Sequence, residues 1–544
     1  MNFTGLQRAD PQRARVYSLG RTLLMNLDIP IVLISRSVAE ISADATFEEA
    51  AAILRANGRA KLFHQGLIHG GEASSAEGAL AMLHEMVGGY GGQYLDKVDY
   101  ICVPRVNVEG AARFTRSSVH PQAIGMNSDH IRLRTNEIRY LHKAYLELMP
   151  EVVMDGQEIG YYTVADLSGA YLNVPAGSYA TGGITDIETA PSTSLNNPSM
   201  EVVEHALSVY AAKLFDDLTT GGLRVDHYQN GAEGWTANNS IGRAYYGLMG
   251  SVSFIVGVRG GGSYLMERRA WSHVLAAKSL LETLHANDAQ TKALVRAARD
   301  KAAAIGRVFD PSVEIYLNQT ASGNTKYFRL TGDEEQGAKY SPYKGQRWQA
   351  DMLGNIVKVS ANDANMVMKS LALNDTSVRR RARPTAYVVP KGIKELTSTG
   401  GLTVDANTGC SVNYGCLLEM LDGNRIKYYE LDPGASAPVR QYHRTDTGNA
   451  TSGDIEAGLR DEETVTFGHG AYVVPLDQTA GAAAVAIFEP DITNSNGFNA
   501  SVAQTLGGTQ GLAVITNDIV TRNYPYYRLE KNNPREALPC SKHG

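Results

Sequence analysis

The chain has 544 residues, of which 43% are hydrophobic and 20% are charged, a composition typical of a soluble globular protein with more than one domain. Its 51 basic and 57 acidic residues give a formal net charge of −6, which disfavours nucleic acid and anionic membrane surfaces as partners. No apolar run approaches the roughly 18 residues that a membrane-spanning helix needs, so no membrane span is predicted.

Strands and helices alternate through the first 300 residues. The predicted strands are 28–35, 60–69, 99–107, 151–155 and 251–258, and the predicted helices are 74–87, 135–148, 199–218 and 267–286. This alternation favours an α/β fold, with a mostly parallel or mixed sheet covered by helices. The α/β domain is predicted to span residues 1–305.

The remainder of the chain, residues 306–544, differs in residue composition and periodicity. Helical periodicity fades, and glycine, threonine, serine, asparagine and tyrosine become frequent. The phrase "AYVVP" occurs twice, at 386–390 and 471–475, and each copy is a short β-type run stopped by proline. These features predict a β-rich accessory region of one or two subdomains.

The four cysteines do not form a disulfide scaffold. Cys102 lies in an apolar run and is expected to be a buried thiol. Cys410 and Cys416 are predicted to lie close together in a β-rich loop, with Cα atoms under about 7 Å apart and a disulfide if the protein is exported. The first twenty residues contain no apolar signal-peptide region. The expected location is therefore the cytoplasm, or the periplasm or exterior if a leader has been removed.

A candidate metal site begins in the stretch "LIHGGEASSAEG" (67–78), where His69 and Glu72 stand three residues apart. Imidazole and carboxylate groups are suited to Zn²⁺. The same "HGG" phrase occurs in esterase oxyanion holes, but that interpretation requires a G-x-S-x-G motif, which the sequence lacks. Because ligands in α/β sheets bind beyond the carboxyl ends of strands, His69, Asn107, Asp155 and Gly257 are expected to line one crevice.

Five short motifs occur in a fixed order along the chain. They are "HGGE" at 69–72, "VNVEG" at 106–110, "GMNSDHIRL" at 125–133, "DGQE" at 155–158 and "FIVGVRG" at 254–260. This series resembles the motifs of carboxypeptidase A-like zinc metallopeptidases, particularly the bacterial type with an added C-terminal region. The resemblance implies that family's fold, a zinc cofactor, and a peptide or protein C-terminus as the bound partner.

The resemblance implies a metal site that has lost part of its chemistry. His69 and Glu72 match the first two zinc ligands, whereas Gln157 stands in place of the third ligand, a histidine. Gly257 occupies the position of the catalytic glutamate. An amide oxygen is a poor zinc ligand beside imidazole, and loss of a general base alone typically costs on the order of 10²–10⁴ in rate.

The positions that bind substrate in the family are also altered. Asn127 matches a substrate-binding asparagine, but its arginine neighbour, which grips the substrate carboxylate, is Ser128 here. The arginine that polarises the scissile carbonyl matches Arg116, with Arg113 as the alternative. The family's N-P-D-G phrase is replaced by residues 107–110. We expect His69, Glu72 and Gln157 side by side, with Asn127 and Arg116 nearby.

Two functions follow from the sequence. One is a pseudopeptidase that binds peptides or partner chains without cleaving them and holds zinc weakly or not at all. The other is an active zinc metallocarboxypeptidase in which Glu158, Glu267, His64 or His130 supplies the missing ligand or base. The changes at Gln157 and its partners favour the first. The sequence carries no signal for the oligomeric state.

Overall fold

The computed structural model describes much of the chain. The described residues are 3–119, 123–159, 186–223, 225–228, 239–260, 266–317, 326–328, 347–350, 356–360, 368–370, 379–391, 414–444, 457–490, 492, 523–534, 538 and 540–541. No helix among them is long and apolar enough to cross a bilayer.

An eight-stranded mixed sheet forms the centre of the N-terminal region. Its strands are β1 (Ala14–Arg21), β2 (Asp28–Ile34), β3 (Ala60–Gly66), β4 (Val98–Val103), β5 (Val152–Ile159), β6 (Ile187–Pro191), β7 (Val225–His227) and β8 (Val252–Arg259), in the spatial order β1-β2-β4-β3-β5-β8-β6-β7. Strands β4, β3, β5 and β8 run parallel at the centre, while β2 and β6 join them antiparallel on either side. The predicted α/β fold with a mixed sheet is confirmed.

Helices cover both faces of this sheet. They are α1 (Phe3–Ala9), α2 (Phe47–Ala56), α3 (Ala73–Val87), α4 (Val108–Arg113), α5 (Asn136–Leu148), α6 (Met200–His205), α7 (Ala212–Thr220), α8 (Gly242–Leu248), α9 (Met266–Ala286) and α10 (Asp288–Ala304). A π-helical stretch, Ala206–Ala211, joins α6 to α7. The periodic helices and apolar strands predicted from sequence are present within a few residues of their expected ends. The short or weakly patterned elements β1, β6, β7, α2 and α8 were not predicted, and neither was α10.

Alternation along the central strands decides which face each side chain joins. Ile31 and Leu33 pack in the core shared with α2, α5 and α8, whereas Val32 and Ile34 pack in the core shared with α3, α7 and α9. Successive side chains of a strand point to opposite faces. The same alternation operates at the ends of β3 and β5, where polar side chains replace apolar ones.

The C-terminal region contains a second eight-stranded sheet. Its strands are β15 (Ala386–Pro390), β16 (Tyr429–Leu431), β17 (Ala435–Arg444), β18 (Ala457–Leu459), β19 (Glu463–Phe467), β20 (Ala471–Pro475), β21 (Asn523–Leu529) and β22 (Cys540–Ser541). Three two-stranded pairs complete the described strands: β9 (Glu314–Tyr316) with β14 (Arg380–Ala382), β10 (Lys326–Phe328) with β13 (Met368–Ser370), and β11 (Arg347–Ala350) with β12 (Ile356–Ser360). The predicted β-rich C-terminal region is therefore confirmed.

The two "AYVVP" phrases pair with each other. Strands β15 and β20 run antiparallel in full register, from Ala386 opposite Pro475 to Pro390 opposite Ala471. Both prolines lie at the strand ends, where the missing N–H costs least. The repeat thus supplies two neighbouring strands at the centre of one sheet.

The cysteine prediction is wrong in one respect. Cys416 lies in a helix, α11 (Tyr414–Gly423), and not in a β-rich loop. The helix forms because Leu417, Met420 and Leu421 fall on one side of it and are buried. Cys410 lies outside the described residues, so the predicted proximity of the pair stays a prediction. Cys102 is buried and free, as expected.

The two regions share one hydrophobic core. Residues of α5 and α8 pack in the same cluster as those of α11 and of α12 (Gly481–Phe488). The side-chain amide of Asn424 donates to the carbonyl of Ile131 at 3.2 Å, and Arg425 Nη1 donates to the carbonyl of Leu146 at 3.0 Å. The predicted boundary at residues 305 and 306, just after the end of α10, stays a prediction.

A buried carboxylate, Glu489, organises the C-terminal core. Its Oε2 lies 2.6 Å from Arg381 Nη1, and its Oε1 accepts hydrogen bonds from the hydroxyls of Tyr387 and Tyr442 at 2.9 and 2.6 Å. Arg528 Nη1 lies 3.9 Å from the same oxygen. Burial alone would raise the pKa of Glu489, but the two guanidinium groups and the hydroxyls outweigh burial and lower it.

Replacing Glu489 with glutamine should destabilise the C-terminal region. Breaking a buried ion pair costs about 3–5 kcal/mol because the remaining charges lose their partner. The lowered pKa means that this stabilisation is present above the unfolded pKa of about 4.3 and is lost as pH falls through the folded value. Denaturant unfolding of the wild type and Glu489→Gln should differ most near pH 7 and converge below about pH 4. A difference that stays constant across this pH range contradicts the prediction.

Candidate functional site

The candidate site lies at the carboxyl ends of β3, β5 and β8. Side chains at odd positions of β3 and β5 point toward it, namely Gln65, Asp155 and Gln157. The register sets Gln65 beside Asp155, and Gln157 beside Gly257 of β8. Their neighbours at even positions, His64 and Glu158, point to the opposite face.

Glu72 is the most connected residue of the site. His69 Nδ1 lies 2.8 Å from its Oε1, and Arg116 Nη1 donates to the same oxygen at 2.6 Å. Its Oε2 accepts the backbone N–H of Glu158 at 2.9 Å. Burial acts to raise the pKa of Glu72, but His69, Arg116 and the Glu158 N–H overcome it and lower the pKa.

The loop that carries His69 requires a glycine. A Cβ built on Gly70 would lie 2.2 Å from the carbonyl carbon of Gly110, a separation that side chains do not tolerate. This close approach brings the His69–Glu72 loop against α4. Gly71 has open space around it, so the first glycine of the pair is the one the packing demands.

Asn107 positions the arginine. Its side-chain oxygen accepts the N–H of Gly110 at 2.9 Å and caps α4, while its Nδ2 donates to the carbonyls of Arg116 and Ser117 at 3.3 and 3.2 Å. Arg116 thereby reaches Glu72, whereas Arg113 ends α4 as an exposed residue. Of the two candidate arginines, Arg116 is the one that contacts a predicted metal ligand.

Gln157 is turned toward Asp155. Its Nε2 donates to Asp155 Oδ2 at 2.6 Å, and Gln65 Nε2 donates to Asp155 Oδ1 at 2.8 Å. Burial raises the pKa of Asp155 to about 6, against the opposing effect of these two amide donors. Gln65 in turn accepts from the hydroxyl of Tyr246 at 2.6 Å.

Asn127 joins the site through α8. Its Oδ1 accepts the backbone N–H of Gly242 at 3.2 Å. A Cβ built on Gly242 would lie 3.2 Å from Asp155 Oδ2, which places Asn127 near Asp155. Ser128 follows it in a short 3-10 turn and is half-buried.

The four proposed substitute residues take other places. Glu158 accepts from the N–H and hydroxyl of Ser74 and pairs with Arg269 on α9. His64 lies on the same opposite face, with its Nδ1 2.6 Å from the Tyr100 hydroxyl, and burial lowers its pKa to about 3. Glu267 is exposed in the first turn of α9.

His130, the fourth substitute, is fully buried near Gly242. Its Nδ1 lies 2.9 Å from His142 Nε2. Burial lowers the pKa of His130 to about 3, so its ring is neutral near pH 7.

The donor set does not fit a catalytic zinc. Both oxygens of Glu72 are engaged by protein donors, and Gln157 contributes only a neutral amide whose N–H₂ group faces Asp155. Catalytic zinc sites usually have three protein ligands of imidazole, carboxylate or thiolate type. Within the described ranges, no group of three or more His, Cys, Asp or Glu side chains is arranged to hold a metal ion.

Residues 3–132 match the family model described as zinc carboxypeptidase. Over this segment the chain is therefore similar to zinc carboxypeptidases. The matched segment contains His69, Glu72, Arg116 and Asn127 and ends before Gln157 and Gly257. No curated protein matches the chain.

Solved structures with similarity to the chain include bacterial metallo-carboxypeptidases and a bovine protein. A metallo-carboxypeptidase from Burkholderia cenocepacia is 14% identical over 52% of this chain and 67% of that one, with a TM-score of 0.37. One from Pseudomonas aeruginosa, in complex with (2-guanidinoethylmercapto)succinic acid, is 15% identical over 53% and 68%, with a TM-score of 0.37. Bovine thrombin-activatable fibrinolysis inhibitor, in complex with tick carboxypeptidase inhibitor, is 14% identical over 53% and 95%, with a TM-score of 0.38.

Sequence reasoning missed three features of this carboxypeptidase-type site. It did not assign roles to Gln65, to Tyr246 or to Arg243, which lies on the same helix as Tyr246. Gln65 carried a weak signal, because it is a polar residue near the carboxyl end of a buried strand. The two residues of α8 carried none, since nothing in the sequence places that helix over β5.

Asn107→Ala should loosen the loop that holds Arg116. The substitution removes the helix cap and the two amide bonds, at a cost of about 1–3 kcal/mol in the free energy of unfolding. Asn107→Ser, the matched control, keeps a capping oxygen but loses the Nδ2 donor, so it should cost less than alanine. Denaturant unfolding of the three proteins measures the difference. Equal stability of the alanine variant and the wild type would contradict the role of Asn107 in holding this loop.

Proposed function

We propose that this protein binds the C-terminal segment of a peptide or protein chain at the carboxypeptidase-type crevice without hydrolysing it efficiently. The observation that carries the proposal is the engagement of Glu72. Its two oxygens contact Arg116, His69 and the Glu158 N–H, so the protein's own groups already use the carboxylate that would bind a metal. The absence of side-chain chemistry at Gly257 and the neutral amide at Gln157 agree with it.

The chemical cost of these replacements supports binding over hydrolysis. Peptide hydrolysis by this family's chemistry needs an activated water and a group that takes its proton. Glycine at 257 accepts no proton, and glutamine at 157 is a weak donor to zinc. Groups that act as a unit lose most of their effect when one member is missing.

A second candidate function is an active metallocarboxypeptidase that uses a relocated carboxylate. Glu188 of β6 lies directly opposite Gly257 in the sheet register and is buried. Residues directly opposite one another on neighbouring strands project from the same face, so Glu188 shares the face of Gln157. His69 and Glu72 also keep the positions of the first two ligands. This candidate requires that the Glu188→Gln variant lose whatever peptidase activity the wild type has.

Metal content and hydrolysis separate the two candidates. We expect the purified chain, equilibrated with zinc, to hold well under one equivalent by elemental analysis and to release no C-terminal residue from a blocked dipeptide. Gln157→His should raise the bound zinc toward one equivalent, because imidazole replaces the amide beside two ligand-type side chains. Gln157→Asn, the matched control, should not. One equivalent of tightly held zinc with chelator-sensitive cleavage by the wild type would overturn the proposal.

Restoring the glutamate alone should have no effect. Gly257→Glu places a carboxylate next to Gln157 and Glu188, with no metal to activate water, so no cleavage of the blocked dipeptide is expected. Combined with Gln157→His, it should give slow hydrolysis, still with poor affinity for a free C-terminus while Ser128 remains. Cleavage by Gly257→Glu alone would contradict the dependence on a third ligand.

A further inference from the structure

Arg243 is a charged side chain buried without a hydrogen-bond partner. It is 1% exposed, and its Nε, Nη1 and Nη2 atoms all lack partners within the part of the chain that the structure describes. Guanidinium carries five N–H donors. A buried charge without hydrogen bonds is costly and calls for an explanation.

The surroundings of Arg243 place it beside the crevice. Its guanidinium carbon lies 5.3 Å from the centre of the Tyr228 ring. Burial lowers the pKa of Arg243, and Tyr228 and Asp155 partly oppose this by favouring its charged form. Tyr246, one turn further along α8, reaches Gln65, which itself binds Asp155. Residues three apart on a helix share a face, so Arg243 and Tyr246 both face the floor of the site.

Asp155 does not serve as the hydrogen-bond partner of Arg243. Its two oxygens are taken by Gln65 and Gln157. The carboxylate therefore stabilises the guanidinium at a distance and leaves its N–H groups for another acceptor. Arg528 of the C-terminal core shows the contrast, because two carboxylates, Glu489 and Glu530, lie within 3.9 Å of it.

The residue that precedes Arg243 connects it to the substrate-binding motif. The Gly242 N–H donates to Asn127 Oδ1, and Asn127 is followed by Ser128, where the sequence resemblance expects an arginine that grips a carboxylate. An arginine is thus available from α8 beside the position at which one is missing from the loop.

We propose that Arg243 binds the carboxylate of the ligand that occupies the crevice, in place of the arginine missing at 128. The ligand's identity as a peptide C-terminus rests on the proposed function, whereas the anion site rests on the burial and surroundings of Arg243. The planar guanidinium fork matches a carboxylate with two parallel N–H···O bonds. Such bonds would satisfy donors that the described residues leave without partners.

Thermal unfolding with two kinds of probe tests the proposal. The probes are sodium acetate, as the smallest carboxylate, and acetyl-Gly-Gly as the free acid or as its C-terminal amide. Wild type should be stabilised by acetate at millimolar concentrations and should bind the free acid about 10- to 100-fold more tightly than the amide, the range expected for hydrogen bonds to a charged group. Sodium chloride at the same ionic strength controls for salt.

Three variants make the result specific. Arg243→Met should abolish the acetate response and the preference for the free acid, and should raise the melting temperature without ligand, because an uncompensated buried charge is removed. Arg243→Lys should keep part of the preference, as a point charge lacks the fork. Arg55→Gln is the matched control, because it removes an arginine away from the candidate site. Arg55 pairs with Glu147 on α5 and lies at the end of α2, which leads into the amino end of β3.

The outcomes separate this inference from the proposed function. Acetate protection that disappears in Arg243→Met supports the anion site. If the dipeptide then binds no better than acetate, the result contradicts the proposed peptide binding but not the anion site. An acetate response and a free-acid preference that Arg243→Met leaves unchanged overturn the inference. If Arg243→Met does not fold, an unchanged preference in Arg243→Lys overturns it equally.

Discussion

The carboxylate of Glu72 is the contact on which the rest of the site depends. It joins three segments that are distant in sequence: the loop after β3, the loop after α4 through Arg116, and the backbone of β5 through Glu158. A buried carboxylate with this many donors is stable as an ion, and its pKa is lowered accordingly. The same donors that hold Glu72 in place reduce its capacity to bind a metal. Metal binding and these structural contacts would therefore compete for the same two oxygens of Glu72.

The polar floor around Asp155 follows the same logic. Gln65 and Gln157 each donate one hydrogen bond to this buried carboxylate, so the amide at the predicted third ligand position satisfies a neighbouring residue. Arg243 lies beside this floor and has no hydrogen-bond acceptor among the described residues. The candidate site thus combines hydrogen-bonded polar groups around Asp155 with guanidinium donors at one side that the described residues leave without acceptors, the arrangement on which the proposed anion site rests.

The C-terminal region contributes to the stability of the N-terminal α/β region through their common core. Helices α11 and α12 pack against α5 and α8, and α8 carries Arg243 and Tyr246. Packing of the added region is therefore connected to the position of two side chains at the site. The Glu489 network fixes the second sheet in turn, since β15 and β17 meet there through Tyr387 and Tyr442.

The sequence by itself determined the α/β class, the long helices and buried strands, because these depend on local periodicity. Its ordered motifs also pointed to His69, Glu72 and Arg116 as neighbours. His69, Glu72 and Arg116 lie together because short loops beside neighbouring parallel strands bring them there. Tertiary structure alone decided what each polar group binds. Strand pleating sent Gln157 to the crevice and Glu158 to α3 and α9, and register set Glu188 opposite Gly257. Only the packing of α8 over β5 brought Arg243 to the floor of the site, because no local pattern encodes a contact between residues about ninety positions apart.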